Sequence, residues 1–318
     1  MSNHRRVYWL LLLLWIPVVL SATPGRYLQS RSLHIVRGRC TELDQDLIAS
    51  FEKRFLEDQI LHGSSLLDSL TVKPSAGSSH SRRQLQPTSK PVNVYFHVIS
   101  ADSSPKNGNI PVQQLIQQVD ALNRGFVETG LNFVLAGVDR TVNADWFANA
   151  GPNTVQQTAM KTKLRRGGRS DLNIYTVGFT GALSGLLGYA TFPQSYAADP
   201  SDDGIVILFS SVPGGAMAGY GQGKTAIHEA GHWFGLYHTF QGSCLSPGDY
   251  VEDTPPEGLP SEGCPIGRVS CPVTDLIEGM SDPIHNYMDY SPDNCMAEFS
   301  PGQALRARVQ AQFYRGIY

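Results

Sequence analysis

The chain has 318 residues, of which 41% are hydrophobic and 17% charged, and its formal net charge at pH 7 is −3. This length and composition suit a globular protein of one or two domains. The near-neutral charge balance supplies no basic surface for nucleic acid, so we expect no nucleic-acid partner.

The N-terminus has the pattern of a secretory signal peptide. Residues 4–6 (His-Arg-Arg) are basic, residues 10–20 are apolar, and the small residues 21–23 allow cleavage after Ala22. The apolar run is shorter than the ~20 residues of a membrane-spanning helix, and no later stretch is long enough. We therefore expect a signal peptide at 1–22, a secreted, extracellular product and no stable membrane anchor.

Residues 23–83 are typical of a pro-segment and linker. Between residues 42 and 61 the apolar positions follow helical spacing, and residues 73–91 are rich in Ser, Pro, Arg and Gly, as linkers are. The dibasic pair Arg82-Arg83 is a candidate site for a processing protease. The alternative is that both arginines are ordinary solvated linker charges.

After Lys90 the apolar pattern alternates between a period of two and a helical period. Strands alternating with helices predict an α/β fold whose sheet is at least partly parallel. From His238 to Ser300 the chain is rich in Gly, Pro and Cys, so we expect irregular structure there. In chain order, the pattern predicts a strand at 92–98, a helix at 111–128, a strand at 132–138, a helix at 154–164, strands at 172–177, 188–192 and 204–209, and helices at 222–234 and 300–313.

The segment at residues 228–238 indicates a chemical function most directly. His228 and His232 are one turn apart on one helix face, with a rise of roughly 6 Å, so both imidazoles can bind one zinc ion. Gly235 can take the positive φ that ends a helix, which allows His238 to become a third ligand. Three protein ligands leave one position for water, as in catalytic zinc sites. Glu229 lies beside the first ligand, where it can accept a proton from that water and return it to a leaving amine.

The alternative for this segment is an amphipathic helix with incidental histidines. At ordinary residue usage, the full pattern arises by chance in on the order of one chain in fifty thousand. We therefore favour the zinc site.

The second constellation is residues 286–290 (Asn-Tyr-Met-Asp-Tyr), where the following Pro292 suggests a tight turn near Met288. A lone methionine is otherwise ordinary core filling. Four of the five cysteines, Cys244, Cys264, Cys271 and Cys295, cluster in the last third of the chain. Secretion allows them to pair, and their spacing leaves all three pairings open.

The extended zinc helix followed by the methionine turn resembles the metzincin clan of zinc endopeptidases. Within the clan the chain is most similar to the pappalysin family, especially secreted fungal extracellular metalloproteases. The resemblance covers roughly residues 90–315. It is carried by residues 223–225, 228–240, 253–255, 282–290 and 299–303.

The resemblance implies a metzincin-like α/β (α+β) fold: a five-stranded mixed, twisted sheet with backing helices and a zinc helix. An irregular, disulfide-bonded subdomain with a terminal helix would follow. The catalytic domain would span residues 84–318, divided into an upper part at 84–235 and a lower part at 236–318. Gluzincin-like proteases and aminopeptidases remain an alternative, although gluzincins take a glutamate as third ligand. A catalytically inactive binding protein is disfavoured by the intact Glu229.

The family roles carry over onto matching positions. His228, His232 and His238 would bind Zn²⁺ and Glu229 would be the general base and acid. Met288 would form the floor of the site. The Tyr290 hydroxyl would polarise the substrate carbonyl or hold the tetrahedral intermediate.

The resemblance also implies disulfides Cys244–Cys271 and Cys264–Cys295. An edge strand starting at Leu187 and ending at Phe192 would bind protein or peptide substrates as an added strand. We expect a monomer by default.

Three further expectations concern regulation and specificity. Some pappalysins bind Ca²⁺ near the disulfide loop, where this chain has Asp249, Glu252 and Asp253, although loop acids are usually just solvated. The Cys40 thiolate could occupy the zinc position that water takes after activation. Related pro-segments have glycine after this cysteine whereas Thr41 follows here, so an ordinary free cysteine is the alternative. Some relatives prefer a basic residue after the scissile bond, for which Asp293 could supply the charge.

Overall fold

The computed structural model describes residues 43–70, 90–272 and 280–317. The predicted signal peptide, Cys40 and the pair Arg82-Arg83 lie outside the described residues. Within those three ranges, no helix is both long and apolar enough to cross a bilayer. The helix predicted in the pro-segment is α1 (Gln45–Leu70), which extends nine residues beyond its predicted end at Leu61.

The five predicted strands are present and form one sheet in the order β2-β1-β3-β5-β4. Four strands are mutually parallel, whereas β4 runs antiparallel to β5 and lies at the edge. The mixed five-stranded sheet is therefore confirmed. The strands are β1 (Val92–Ser100), β2 (Phe133–Val142), β3 (Leu172–Val177), β4 (Gly188–Ala190) and β5 (Ile205–Leu208).

The strands β3 and β5 are buried on both faces; the sequence of β5 is continuously apolar, whereas β3 also contains buried Asn173 and Thr176. Because successive side chains of a strand point to opposite faces, Ile174 and Ile207 join one core cluster while Tyr175 and Val206 join the other. The helices between strands supply the crossovers that parallel pairing needs. They are α2 (Val112–Gly125), α3 (Ala144–Asn149) and α4 (Val155–Leu164).

Short α3 was not predicted, because six residues are too few to show a helical period. It begins at Asn143, whose side-chain oxygen accepts from the backbone N–H groups of Asp145 at 3.1 Å and Trp146 at 3.0 Å. β2 was predicted to end at Val138 but continues to Val142. Its later residues are half-exposed, which obscured the strand pattern.

The zinc helix is α5 (Lys224–Trp233), within two residues of its predicted bounds. The described residues that follow it, 234–272 and 280–300, are irregular, and the terminal α6 (Pro301–Gln310) continues as a π-helical turn at Ala311–Arg315. Disulfides join Cys244 to Cys271 and Cys264 to Cys295 in this part, the pairs that the family resemblance implied.

The end of the chain is fixed to the end of the zinc helix. Fully buried Arg315 donates to Asp203 at 2.8 Å and to the carbonyl of Trp233 at 3.0 Å, and its guanidinium lies 3.8 Å from the Trp233 ring centroid. The Trp233 indole N–H donates to the same Asp203 carboxylate at 3.1 Å. These contacts fix the residue that follows His232.

Replacing Arg315 with glutamine removes the nearer cation of this buried ion pair and leaves Asp203 with only the Arg165 guanidinium, at 3.7 Å, as a charged partner. Such a loss costs about 3–5 kcal/mol. At about 2–4 °C per kcal/mol for a domain of this size, we expect Tm to fall by at least about 6 °C in scanning calorimetry. Arg169→Gln, at an exposed position, is the matched control. Equal melting temperatures for the two variants would show that the pair does not stabilise the fold.

Candidate active site

Three buried histidines converge. The Nε2 atom of His238 lies 3.2 Å from that of His228 and 3.1 Å from that of His232. The three side chains are at most 5% exposed. A tetrahedral zinc ion with ~2.0–2.1 Å bonds separates its ligand nitrogens by ~3.3 Å, so this donor set fits zinc.

Hydrogen bonds fix how two of these rings are protonated. The Nδ1 atom of His228 lies 2.7 Å from the carbonyl oxygen of Tyr287, and that of His232 lies 2.8 Å from the carbonyl oxygen of Leu236. A carbonyl only accepts, so each proton is on Nδ1 and each Nε2 presents a lone pair. Adjacent lone pairs repel unless a cation lies between them, which favours a metal ion at this point.

Burial keeps the rings in the neutral form that binds metals. It lowers the pKa of His228 to about 4 and the pKa values of His232 and His238 well below their ordinary value. All three imidazoles are therefore uncharged near neutral pH, with one N–H and one lone pair each.

The end of α5 brings the third histidine to the other two. Gly235 has φ +84°, its N–H donates to the carbonyl of His232 at 2.8 Å, and the N–H of Leu236 donates to the carbonyl of Gly231 at 3.0 Å. This Schellman pattern stops the helix and turns the chain back within one turn. His238 follows directly.

Glu229 belongs to the zinc helix, and its side chain lies against the edge strand. It is 1% exposed. A Cβ atom at Gly188 would lie only 2.7 Å from its Oε1 atom, so the carboxylate is against the backbone of β4. Gly188 was not predicted as a site residue; a glycine at the start of a predicted strand was the available signal of close approach.

The predicted turn at Met288 lies directly under the zinc helix. The N–H of Asp289 donates to the carbonyl of Asn286 at 3.2 Å, which closes the turn, and Met288 is fully buried. A Cβ atom at Gly231 would lie 2.5 Å from the Met288 sulfur. The helix can approach the turn this closely because Gly231 has no side chain.

Aromatic rings surround the third histidine. The Tyr290 ring centroid lies 4.9 Å from that of His238 and 5.9 Å from that of His228. Phe240 stacks on His238 at 4.7 Å. Tyr290 is therefore on the same side of the histidine cluster as the adjoining cleft, which it also lines.

This open cleft of about 280 Å³ is lined by His228, Glu229 and Asp293, among others. Asp293 is 1% exposed, and burial raises its pKa. Its Oδ2 atom accepts from the N–H of Gln222 at 2.7 Å, whereas Oδ1 has no hydrogen-bond partner among the described residues. The Lys224 ammonium donates to the backbone carbonyl of Asp293, not to its carboxylate.

The acids considered for calcium do not come together. Asp253 accepts from the Ser300 hydroxyl at 2.7 Å and the Gly302 N–H at 2.8 Å, so it caps α6. Burial raises the pKa of Asp249 to about 7. No cluster of three potential ligands in the described ranges contains Asp249, Glu252 or Asp253. Calcium binding therefore stays a prediction without structural support.

A buried acid behind the third histidine was also missed. Glu257 accepts from the hydroxyls of Thr239 at 2.6 Å and Ser261 at 3.0 Å, and from Arg268 at 2.7 Å. Burial, reinforced by the charge of Asp289, raises its pKa to about 8. It holds the residue that follows His238, and its place in an irregular loop gave no sequence signal.

Comparisons with known proteins agree with this geometry. Residues 179–311 match the peptidase family model described as "Pregnancy-associated plasma protein-A", and residues 112–239 match reprolysin-like metallopeptidases. An extracellular metalloprotease of Pyricularia oryzae is 42% identical over 261 residues, which are 81% of this chain and 87% of the relative.

Two solved structures from Tannerella forsythia are similar. Mature mirolysin in complex with a cleaved peptide has a TM-score of 0.57 and 28% identity, covering 71% of this chain and 96% of its own. A promirolysin variant has a TM-score of 0.60 and 26% identity, covering 87% of this chain and 95% of its own. The chain therefore belongs to the pappalysin family of metzincin peptidases and is a zinc metalloendopeptidase.

Proposed function

We propose that this protein is a secreted endopeptidase, made as a zymogen, that cuts extended protein segments with Glu229 as general base and acid. The observation that carries the proposal is the convergence of three histidine Nε2 atoms beside that carboxylate. Secretion is supported by the extracellular relative and by the pattern of residues 1–22.

His228, His232 and His238 would hold the zinc ion. When bound, zinc acts as a Lewis acid that makes water a stronger nucleophile and polarises a carbonyl. The carbonyls of Tyr287 and Leu236 orient the first two rings, and burial excludes competing water. The chain itself thus supplies a preformed, neutral set of nitrogen donors.

Glu229 would move the proton. Its carboxylate accepts a proton as water attacks the peptide carbonyl and then gives that proton to the leaving amine. Its contact with Gly188 places it beside the strand on which we expect the substrate to lie. The Tyr290 hydroxyl would stabilise the negative charge that develops on the carbonyl oxygen.

The substrate would bind along β4. This strand pairs with β5 on one side only, so its other edge can accept hydrogen bonds from, and donate them to, an extended peptide. Mature mirolysin has been solved with a cleaved peptide, which supports peptide binding in this fold.

Glu229→Gln keeps the shape of the side chain and removes the base. We expect cleavage of a protein substrate to fall by about 10²–10⁴-fold, while metal analysis still finds one zinc per chain. Exposed Glu128→Gln is the matched control and should cleave normally. Cleavage at the wild-type rate by the Glu229 variant would refute the assignment, and joint loss of zinc would mean that the residue is structural.

We also propose that Asp293 selects a basic residue after the scissile bond. The support is a buried carboxylate that lines the same cleft as His228 and Glu229 and whose Oδ1 has no hydrogen-bond partner in the described part of the chain. A lysine or arginine of the substrate would supply that partner and compensate the buried charge.

Asp293→Asn should therefore reduce cleavage before Arg and Lys by at least about tenfold. Cleavage before Leu should change little, which provides an internal control. Sequencing the new N-termini of a digested protein mixture measures both. Identical cleavage profiles for the variant and the wild type would exclude Asp293 as the selecting residue.

The zymogen proposal rests on the position of the pro-segment. Leu43 packs against a cluster that contains Phe192 and Tyr237, and the Phe192 ring centroid lies 5.2 Å from that of His232. Cys40 is three residues before Leu43, a reach of at most about 11 Å. Promirolysin also aligns with more of this chain than mature mirolysin does, as a shared pro-segment would require.

We expect full-length protein with Cys40→Ser to cleave a peptide substrate before any processing, because no Cys40 thiolate is present to bind the zinc ion in place of water. The unprocessed wild type and the neighbouring Thr41→Ser variant should both stay latent. Gel analysis alongside the assay shows whether the chain is still intact. If the Cys40 variant is as latent as the wild type, another contact maintains latency.

A further inference from the structure

One face of α1 is buried although the helix belongs to the expected pro-segment. Ile48, Phe51, Glu52 and Phe55 are at most 9% exposed and follow the spacing i, i+3, i+4, i+7. A carboxylate in the middle of an apolar stripe costs free energy unless it is paired. Neither catalysis nor helix formation requires Glu52, so its partners indicate what this face recognises.

Glu52 is held by two side chains of the catalytic domain. Its Oε1 atom accepts from the Tyr237 hydroxyl at 2.8 Å, and its carboxylate accepts two bonds from the Arg306 guanidinium, one of them at 3.1 Å. The Arg306 and Glu52 side chains are 9% and 8% exposed. A bidentate, desolvated pair of this kind is among the stronger and more directional polar contacts.

Aromatic rings flank the pair on both sides. Phe51 lies 6.2 Å from Phe192, measured between ring centroids. Phe55 lies 6.5 Å from Phe313 and 6.1 Å from Tyr314. The Arg306 guanidinium also lies 5.7 Å from the Phe55 ring centroid and 5.1 Å from that of Tyr237. We call the catalytic-domain side the helix-docking surface, formed by Phe192, Tyr237, Arg306, Phe313 and Tyr314.

Cleavage at Arg82-Arg83 would break none of these contacts, because on the α1 side all of them are made by residues before 56. If α1 left, the surface would expose four aromatic rings, and Arg306 would lose its carboxylate partner. An amphipathic helix with an acidic residue in its apolar face would cover these rings and pair with Arg306. The excised segment of this chain meets both requirements.

We propose that the helix-docking surface is a non-catalytic binding site for an acid-centred amphipathic helix, and that it retains the excised pro-segment after processing. The inference rests on the proposed zymogen only for the cut itself. Because Phe192 contacts the ring of His232 and follows β4 in sequence, a retained helix lies beside the expected substrate strand. The released segment should therefore also inhibit the processed enzyme when added back.

The test uses the full chain with Glu229→Gln, which prevents self-digestion, and the recognition sequence of a specific protease inserted after Arg83. After the cut, native mass spectrometry over a dilution series measures the Kd between the two fragments. Glu52→Gln should raise Kd by at least about 30-fold. Glu57→Gln is the matched control, since the Glu57 side chain is 60% exposed and its carboxylate lies 3.9 Å from the ammonium of exposed Lys53.

Both changes are on the excised segment, so the amino-acid sequence of the catalytic domain is the same in every variant, and its folding after the cut can be checked by circular dichroism. A wild-type segment that leaves completely at micromolar concentration would overturn the proposal. Equal Kd values for Glu52→Gln and Glu57→Gln would also overturn it, since the surface would then be merely apolar. Binding is measured without catalysis, so failure here leaves the proposed peptidase mechanism intact, and failure of that mechanism leaves the Kd unaffected.

Discussion

The convergence of three buried imidazole Nε2 atoms constrains the rest of this molecule. The Nε2 atom of His238 lies 3.1–3.2 Å from those of His228 and His232, and two backbone carbonyls fix the protons of these two rings on the opposite nitrogen. Two lone pairs therefore point at one place, which favours a cation there. The carbonyls belong to Leu236, just after the zinc helix, and Tyr287, in the methionine turn. The geometry of the metal-binding nitrogens therefore depends on how these two segments pack against each other.

Two glycines allow the segments around the site to approach one another closely. Gly188 lets the Glu229 carboxylate lie against the edge strand, and Gly231 lets the zinc helix lie against the Met288 sulfur. The far end of the helix is fixed by Arg315, which reaches Asp203 across 112 residues of sequence. Arg306, on α6, donates to the carbonyl of Gly235, just after this helix, and to the carboxylate of Glu52 on α1. The edge strand, the three histidines and α1 are therefore linked by one continuous set of contacts.

Local patterns in the sequence were enough to place most elements and the chemistry. The zinc helix and His238 follow from residue spacing and from the glycine between them, since helix geometry alone brings those side chains together. The hydrophobic periodicity of short α3 and of the half-exposed end of β2 was too weak for these segments to be predicted. The pairs Asp203–Arg315 and Glu52–Arg306 join residues 112 and 254 positions apart, so only the tertiary fold reveals them. The strand order is long-range in the same way.

The proposed zinc site requires His228, His232 and His238 to bind one ion together. Zinc-edge X-ray absorption of the processed protein, combined with metal quantification, measures this coordination. We expect one zinc per chain with three imidazole nitrogens at about 2.0–2.1 Å and one oxygen ligand. Zinc well below one equivalent, or a coordination shell without three imidazoles, would show that the three histidines do not form a catalytic zinc site.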